Sequence, residues 1–279
     1  MVTLEPINIL VTLDANYLKP LKVMLKSMFL NNPDDSFHVF LMHSRLTEEQ
    51  VNDVDEFVGR SGHSLSVVTI GEDCFNDAPI VKHYTKEMYY RLLAFRYLPT
   101  ELERILYLDP DILVINSIRS LYTTDLSGWL FAAAHHDIIL TREINKLRFP
   151  QYEINEYFNT GVLLMNLNLI RERVNEHDIY QFVEKHRNSL ILPDQDILNS
   201  LYSKNVKKLD ELIYNYDVRY FGYNRLLVKH KPSMEEIINK TVILHFCGKR
   251  QPWHKNYRGD FHALYKHYEK LALGGSGTY

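Results

Sequence analysis

Short apolar runs alternate with amphipathic stretches over the first 70 residues of the chain. Three of the runs have the length and apolar content of strands: residues 7–12, 37–42 and 64–70. Apolar residues recur at helical spacing from Leu18 to Phe29, and Thr47 to Gln50 form a capping box that starts a second helix ending near Arg60. This β-α-β-α-β alternation with short connections predicts an open, mostly parallel α/β sheet with helices on its faces.

The rest of the chain continues the alternation. Further buried strands are predicted at residues 105–108, 130–136, 162–167 and 242–246. Helices are predicted at residues 85–98, at residues 168–187 with a restart at Asp178, after Pro193, and at residues 261–273. Residues 143–156 are polar without a clear period, which predicts a loop over the rim of the sheet. Gly274 to Gly277 predict a flexible tail.

An acidic pair, Asp109 and Asp111, follows the apolar strand at residues 105–108. Pro110 cannot donate a ladder hydrogen bond and favours extended backbone before it, so both carboxylates project to the same side just past the strand. Like charges held that close need a cation or a shared proton, and a hard divalent metal is the usual answer. The alternative is a solvated turn, because 35 acidic residues make such a triplet easy by chance. The apolar runs on both sides favour the site.

Other polar residues are placed near this rim or inside the predicted core. Ligands of parallel sheets bind beyond the carboxyl ends of the strands, so the turn from Asp14 to Tyr17 belongs to the same rim as the acidic pair. Arg91 falls on the apolar side of its helix and needs an anionic partner, either in a site or as a buried carboxylate. His245 lies on a core strand, where a metal role depends on the acidic pair. Asp194 precedes a helix, where capping is the ordinary role.

Bulk properties narrow the class of protein. At 279 residues and 46% hydrophobic, the chain can bury one large core, with room for a small appendage. A net charge of −3 gives no electrostatic case for nucleic acid. The only cysteines are Cys74 and Cys247, which rules out a disulfide framework or Cys-rich zinc site and favours the cytoplasm. No secretory signal and no apolar run of membrane-spanning length are expected.

Six motifs in chain order resemble glycosyltransferase family 8. They are Val11-Thr-Leu-Asp-Ala-Asn-Tyr17, Tyr90-Arg-Leu92, Leu106-Tyr-Leu-Asp-Pro-Asp-Ile-Leu-Val114, Asn159-Thr-Gly-Val-Leu-Leu-Met-Asn166, Asp194-Gln-Asp-Ile-Leu-Asn199, and His245-Phe-Cys-Gly248 with Pro252-Trp253. Each motif alone is weak, but six in register are specific. The family comprises retaining, nucleotide-sugar-dependent enzymes of the GT-A fold. The resemblance therefore implies a GT-A domain over residues 1–258, with residues 259–279 as a C-terminal helix and tail.

The resemblance also implies roles for individual residues. The metal ligands for Mn²⁺, or Mg²⁺, are Asp109, Asp111 and His245. The residues implied for the uridine and diphosphate are Thr12, Asp14, Asn16, Tyr17, Gly248 and Lys249. Those implied for the donor sugar are Arg91, Asn159, Thr160, Asp194 and Gln195. One departure concerns the diphosphate: the family usually carries a lysine immediately before Pro-Trp, whereas this chain has Gln251, and either Lys249 or Arg250 is a candidate replacement.

The activity implied is transfer of glucose or galactose from a UDP-sugar to a glycan or glycolipid acceptor. For a retaining reaction, Gln195 and Asp196 are the candidate nucleophiles, and a front-face route in which the leaving phosphate takes the acceptor's proton is equally open. The alternatives are a glycogenin-like primer that glycosylates its own tyrosine and a non-catalytic nucleotide-sugar-binding protein. The C-terminal helix offers Lys266, His267 and Lys270 for contact with the inner membrane face, although a solvated helix face is the favoured explanation of these residues.

Overall fold

The main sheet has seven strands, and six of them run parallel. The structure is a computed structural model that describes residues 5–71, 87–135, 148–154, 156–223 and 232–274. The strands are β1 (Ile7–Thr12), β2 (Phe37–His43), β3 (Ser64–Thr69), β4 (Arg104–Leu108), β6 (Phe131–His135), β7 (Phe158–Asn166) and β8 (Val206–Leu209), in the spatial order β3-β2-β1-β4-β7-β6-β8. Only β7 is antiparallel to its neighbours. The predicted open, mostly parallel sheet is confirmed.

A second, three-stranded sheet lies beyond the end of β4. It contains β5 (Ile112–Val114), β9 (Tyr216–Asp217) and β10 (Ile243–His245), in the order β5-β10-β9. Pro110 ends the main-sheet strand as predicted, and the chain resumes two residues later in this smaller sheet. The strand predicted at residues 242–246 is present but belongs to the small sheet, where it pairs antiparallel with β5.

Helices cover both faces of the main sheet. Their bounds are α1 (Leu18–Leu30), α2 (Glu48–Arg60), α3 (Glu87–Tyr97), α4 (Arg119–Tyr122), α5 (Leu167–Arg173), α6 (Glu176–His186), α7 (Pro193–Tyr202), α8 (Glu211–Tyr214), α9 (Arg219–Tyr223), α10 (Met234–Lys240) and α11 (His262–Leu273). The restart predicted at Asp178 occurs earlier, because the Asn175 side chain caps α6 by accepting the His177 N–H at 3.0 Å. Among the described helices, none combines the length and apolar content needed to cross a membrane.

Two apolar cores sandwich the sheet because successive strand residues point to opposite faces. In β4, Ile105 and Tyr107 join a core with α3, α5, α6 and α7, while Leu106 and Leu108 join another with α1 and α2. All four are fully buried, as expected for a central strand. A third core joins the small sheet to α11 through Phe261 and Tyr265.

Several predictions concern parts of the chain that are only partly described. Residues 275–277 of the predicted glycine-rich tail and residues 143–147 and 155 of the predicted loop lie outside the described residues. The start of the helix predicted at residue 85 also lies outside them. The described part of that helix begins at Glu87, and the C-terminal helix is present as predicted.

Candidate active site

The acidic pair lies at the junction of the two sheets. The Asp109 N–H donates to the Gly161 carbonyl of β7 at 2.8 Å, which extends the β4–β7 ladder by one bond. The Asp111 carbonyl accepts the Phe246 N–H at 2.9 Å and so belongs to the small sheet. Because β5 pairs antiparallel with β10, Ile112 lies opposite His245 and brings the imidazole beside Asp111. The turn at Pro110 thus carries the chain from the main sheet to the small sheet, with Asp109 at the end of the first and Asp111 at the start of the second.

The three predicted metal ligands come together. One potential ligand atom from each of Asp109, Asp111 and His245 lies within 4.8 Å of the others. His245 Nε2 is 3.2 Å from Asp111 Oδ1 and 3.9 Å from Asp109 Oδ2. The imidazole is buried, while the two carboxylates keep partial access to solvent. Such a cluster leaves coordination positions open on the exposed side.

A relay that begins at a backbone N–H fixes the tautomer of His245. The Gly161 N–H and the Asn215 Nδ2 both donate to Asn159 Oδ1, each at 2.9 Å. Asn215 Oδ1 is therefore the atom that faces His245 Nδ1 at 2.8 Å, and it can only accept, so Nδ1 carries the hydrogen. Nε2 is left to face the carboxylates with its lone pair or with a second proton. Sequence reasoning missed Asn215, which is fully buried and lies 30 positions from His245.

The donor set suits a divalent metal. Two carboxylate oxygens this close to an imidazole nitrogen require either a proton on Nε2 or a cation between them. Imidazole as a ligand favours Mn²⁺ over Mg²⁺, which prefers oxygen. A metal-binding histidine is normally oriented by an acceptor on its other ring nitrogen, and Asn215 supplies that acceptor. The residues present therefore fit a metal of the Mn²⁺ type.

The antiparallel direction of β7 places a further motif at this rim. A strand was predicted from residue 162, but β7 begins at Phe158, so Asn159, Thr160 and Gly161 lie within it. Because β7 runs against β4, its amino end meets the carboxyl end of β4. A Cβ atom on Gly161 would lie 2.3 Å from His245 Cε1 and 2.6 Å from Asp109 Oδ2. Glycine here makes room for the metal ligands.

Arg91 links the metal site to α7. Its Nη1 lies 3.0 Å from Asp109 Oδ1 and 3.3 Å from Asp194 Oδ2, and it donates to the Thr160 carbonyl at 3.1 Å. The guanidinium carbon is 4.1 Å from the centre of the Tyr107 ring, and the side chain is buried. The sequence predicted an anionic partner for Arg91, and the structure provides two.

Asp194 is a buried carboxylate at the start of α7. Its Oδ2 accepts a hydrogen bond from Thr160 Oγ1 at 2.7 Å. Burial raises the pKa of Asp194, and the charge of Arg91 opposes that shift without cancelling it. The Gln195 N–H also hydrogen-bonds this carboxylate, so Asp194 takes part in the first turn of α7 as well as contacting Arg91. Gln195, the next residue, is half-buried at the same helix end.

Asp196, an expected nucleophile, has a structural role instead. Its side chain is completely buried. Arg148 Nη2 and the Ile191 N–H contact Oδ2 at 2.5 and 2.8 Å, and the Tyr157 hydroxyl donates to Oδ1 at 2.6 Å. With both oxygens hydrogen-bonded to Arg148, Tyr157 and the backbone before α7, the carboxylate is unavailable for attack. The earlier expectation for Asp196 is therefore corrected.

A cleft of about 540 Å³ opens beside the metal ligands. It is lined by Asn16, Tyr17, Gly248, Lys249, Gln251, Trp253 and His254. The Tyr17 and Trp253 rings meet edge to face with centroids 5.7 Å apart. Burial, followed by the nearby carboxylates, raises the pKa of Tyr17 to about 12, so the phenol is neutral at physiological pH.

Two residues predicted for nucleotide binding support the cleft without lining it. Asp14 accepts the Asn16 N–H at 2.8 Å and so forms the turn that presents Asn16 and Tyr17. Thr12 is buried, and its hydroxyl lies 3.3 Å from that of Tyr107, which in turn donates to Asp109 Oδ1 at 2.6 Å. Of the two candidate replacements for the family lysine, Lys249 lines the cleft.

Comparisons with known proteins agree with this fold. The chain is 26% identical over 256 residues to lipopolysaccharide 1,2-glucosyltransferase from Escherichia coli (strain K12), covering 91% of this chain and 74% of that protein. It is 24% identical over 276 residues to general stress protein A from Bacillus subtilis (strain 168), covering 95% and 93%. The fold matches that of galactosyltransferase LgtC, solved with donor and acceptor sugar analogues, with a TM-score of 0.82, 24% identity and coverage of 95% and 96%. The model of glycosyl transferase family 8 matches residues 8–257, and this chain therefore belongs to that family of GT-A glycosyltransferases.

Proposed function

We propose that this chain is a retaining, metal-dependent hexosyltransferase that moves glucose or galactose from a UDP-sugar to a glycan or glycolipid acceptor. The observation that carries the proposal is the Asp109–Asp111–His245 cluster at the edge of an aromatic-walled cleft. A cleft of this size accommodates a nucleoside, and the adjacent cluster suits its diphosphate. The relatives named lipopolysaccharide 1,2-glucosyltransferase and 1,3-galactosyltransferase, the latter 25% identical over 261 residues, support a hexose donor.

Asp109, Asp111 and His245 would hold Mn²⁺, with Mg²⁺ as the alternative, against the diphosphate of the donor. When bound, a divalent cation neutralises the negative charge that develops on the departing UDP. Asn16 and Tyr17 line the nucleoside end of the cleft, and Lys249 adds a positive charge at its phosphate end. Gly248 has a positive φ of 103°, which directs the chain around the phosphate position.

The donor sugar is assigned to the side of the metal site formed by Arg91, Asn159, Thr160, Asp194 and Gln195. The support for this assignment is that Arg91 joins Asp194 to Asp109, which holds the two carboxylates in one fixed arrangement beside the proposed metal. Groups positioned before the substrate binds lower the entropic cost of reaching the transition state.

Retention of configuration is proposed to follow a front-face route. Asp196 is saturated by its partners, and the amide of Gln195 is a poor nucleophile. In this route the bond from the anomeric carbon to the UDP oxygen breaks as the bond to the acceptor hydroxyl forms on the same face. The hydroxyl proton passes to the leaving phosphate, so no protein base is required. Exclusion of water from the closed site makes transfer outcompete hydrolysis.

Isothermal titration of UDP with Mn²⁺, with Mg²⁺ and with chelator tests the proposal. We expect binding that requires a divalent metal and is tighter with Mn²⁺. Release of UDP from UDP-glucose and UDP-galactose then identifies the donor sugar. Absence of UDP binding with either metal would refute the proposed function.

Two alternatives give different results in the same assays. A self-glycosylating primer would gain hexose mass during incubation with the donor, which intact-protein mass spectrometry detects. A non-catalytic protein would bind UDP tightly without releasing it from any UDP-sugar. We place the enzyme in the cytoplasm on the basis of its two cysteines. The proposal does not extend to membrane contact, because Lys266 on α11 is paired with Glu269 at 2.6 Å.

A further inference from the structure

Gln251 stands where family 8 members usually carry a lysine that reaches the diphosphate, and its contacts differ from that role. The side chain is 6% exposed. Its Nε2 lies 2.9 Å from Asp111 Oδ2 and 2.7 Å from the Gly248 carbonyl oxygen. Gln251 is therefore bonded to one of the three metal ligands and to the loop that follows the third.

Both N–H groups of the Gln251 side chain already have hydrogen-bond partners. A side-chain amide has two N–H groups, and both partners of Nε2, a carboxylate and a carbonyl, can only accept. These partners fix which end of the amide faces Asp111 and use both hydrogens. No N–H of Gln251 remains for a phosphate oxygen while these bonds are made.

The other end of the amide is equally unsuited to phosphate. Gln251 Oε1 is buried and has no hydrogen-bond partner among the residues that the structure describes. It is an acceptor only, so it would repel the oxygens of a diphosphate and can take only a donor such as a hydroxyl or a water. Neither end of Gln251 can therefore replace the ammonium group of a lysine.

We propose that Gln251 is a positioning residue for the metal site, rather than a ligand of the diphosphate. By holding Asp111 Oδ2, it leaves Oδ1 directed at the position shared with His245 Nε2, 3.2 Å away. Because Gln251 carries no positive charge, the charge of the diphosphate is balanced by the metal together with Lys249. Nucleotide binding is then more strictly metal-dependent than it is with a cation at residue 251. This inference rests on the proposed function.

Titration of Mn²⁺ alone, without nucleotide, tests the positioning role. Gln251→Leu keeps the size of the side chain but donates nothing, so we expect Mn²⁺ to bind about 10- to 100-fold more weakly, the usual effect of losing a partner of a metal ligand. Gln181→Leu is the matched control, because Gln181 is exposed on α6 and bonds His177, far from the metal site in sequence and on a helix that carries none of the proposed ligands. This control should bind Mn²⁺ as the unmodified protein does.

A second variant covers the case in which Gln251→Leu does not fold. Gln251→Asn keeps the amide but withdraws it by one methylene, so it cannot reach Asp111 and Gly248 together. It should also weaken Mn²⁺ binding, with a thermal unfolding midpoint in chelator close to that of the unmodified protein. Normal Mn²⁺ affinity in a folded Gln251→Leu or Gln251→Asn variant overturns the positioning role.

Gln251→Lys tests the consequence for the nucleotide. Restoring a cation in the cleft should allow UDP to bind in chelator at least tenfold more tightly than the unmodified protein binds it. No gain overturns the inferred metal dependence. Failure of the proposed function looks different, since the unmodified protein would then bind neither Mn²⁺ nor UDP. If it binds both, only the role of Gln251 is at issue.

Discussion

Gly161→Ala should weaken metal binding without removing any of the three proposed ligands. The methyl group would lie 2.3 Å from His245 Cε1 and 2.6 Å from Asp109 Oδ2. The backbone cannot move away, because Gly161 lies in the middle of the sheet, where its carbonyl accepts the Asp109 N–H and its neighbour Val162 pairs with Leu108. The two metal ligands must therefore yield.

The size of the effect follows from these distances. The carbon atoms would be about 1.2 Å closer than their optimal separation of roughly 3.5 Å. Overpacking of this kind costs about 1–3 kcal/mol when the surroundings cannot relax. His245 is buried and Asp109 is held by Arg91 and Tyr107, so part of this cost should lower the unfolding midpoint in chelator, and the rest should appear when a metal draws the two side chains together. If that strain is borne on binding, the Mn²⁺ dissociation constant should rise about 5- to 150-fold.

The assay is calorimetric titration of Mn²⁺, with thermal unfolding in chelator alongside it. Gly59→Ala is the matched control, because this glycine is exposed near the end of α2 and a Cβ there meets nothing within 4 Å. The control should stabilise the helix by about 0.5–1 kcal/mol and leave Mn²⁺ binding unchanged. A Gly161→Ala protein that binds Mn²⁺ as tightly as the unmodified one would show that the ligands do not approach Gly161, and would refute the assigned geometry.

Three further predictions concern neighbouring residues. Asp111→Asn should abolish metal-dependent turnover but leave the unfolding midpoint in chelator nearly unchanged, because asparagine can still accept from Gln251; retained turnover would contradict the metal assignment. Burial raises the pKa of Asp194, so the folded protein favours the protonated side chain. The stability that this side chain contributes is therefore fully present below its unfolded-state pKa of about 4, and it is lost as the pH rises through its folded-state pKa. In urea titrations at several pH values, Asp194→Asn should lack this loss, and an unaltered pH dependence would argue against it. Lys249→Ala should weaken UDP binding in calorimetry more than Arg250→Ala does, and the reverse order would move the phosphate role to Arg250.

The sequence alone determined the α/β class, most of the elements and the candidate metal ligands. Apolar periodicity and capping are local, so the strands around residues 7–12 and 105–108 and the helix that begins after Thr47 could be predicted from adjacent residues. The acidic pair was equally local, since a proline between two aspartates after an apolar run ends the strand in any fold. His245 and Arg91 became interpretable only together with that pair and the family motifs.

Tertiary structure decided which polar residues lie in the candidate site and which support the fold. Asp194 and Asp196 are two positions apart on one helix, yet Arg91 reaches the first and Arg148 the second. Asn215 orients His245 from 30 positions away, and Gln251 holds Asp111 from 140 positions away. Spacing along the chain cannot reveal such pairs, because they exist only once the small sheet packs against the end of the large one. The sequence therefore determined which chemical groups are available, and the junction of the two sheets determined which of them lie together.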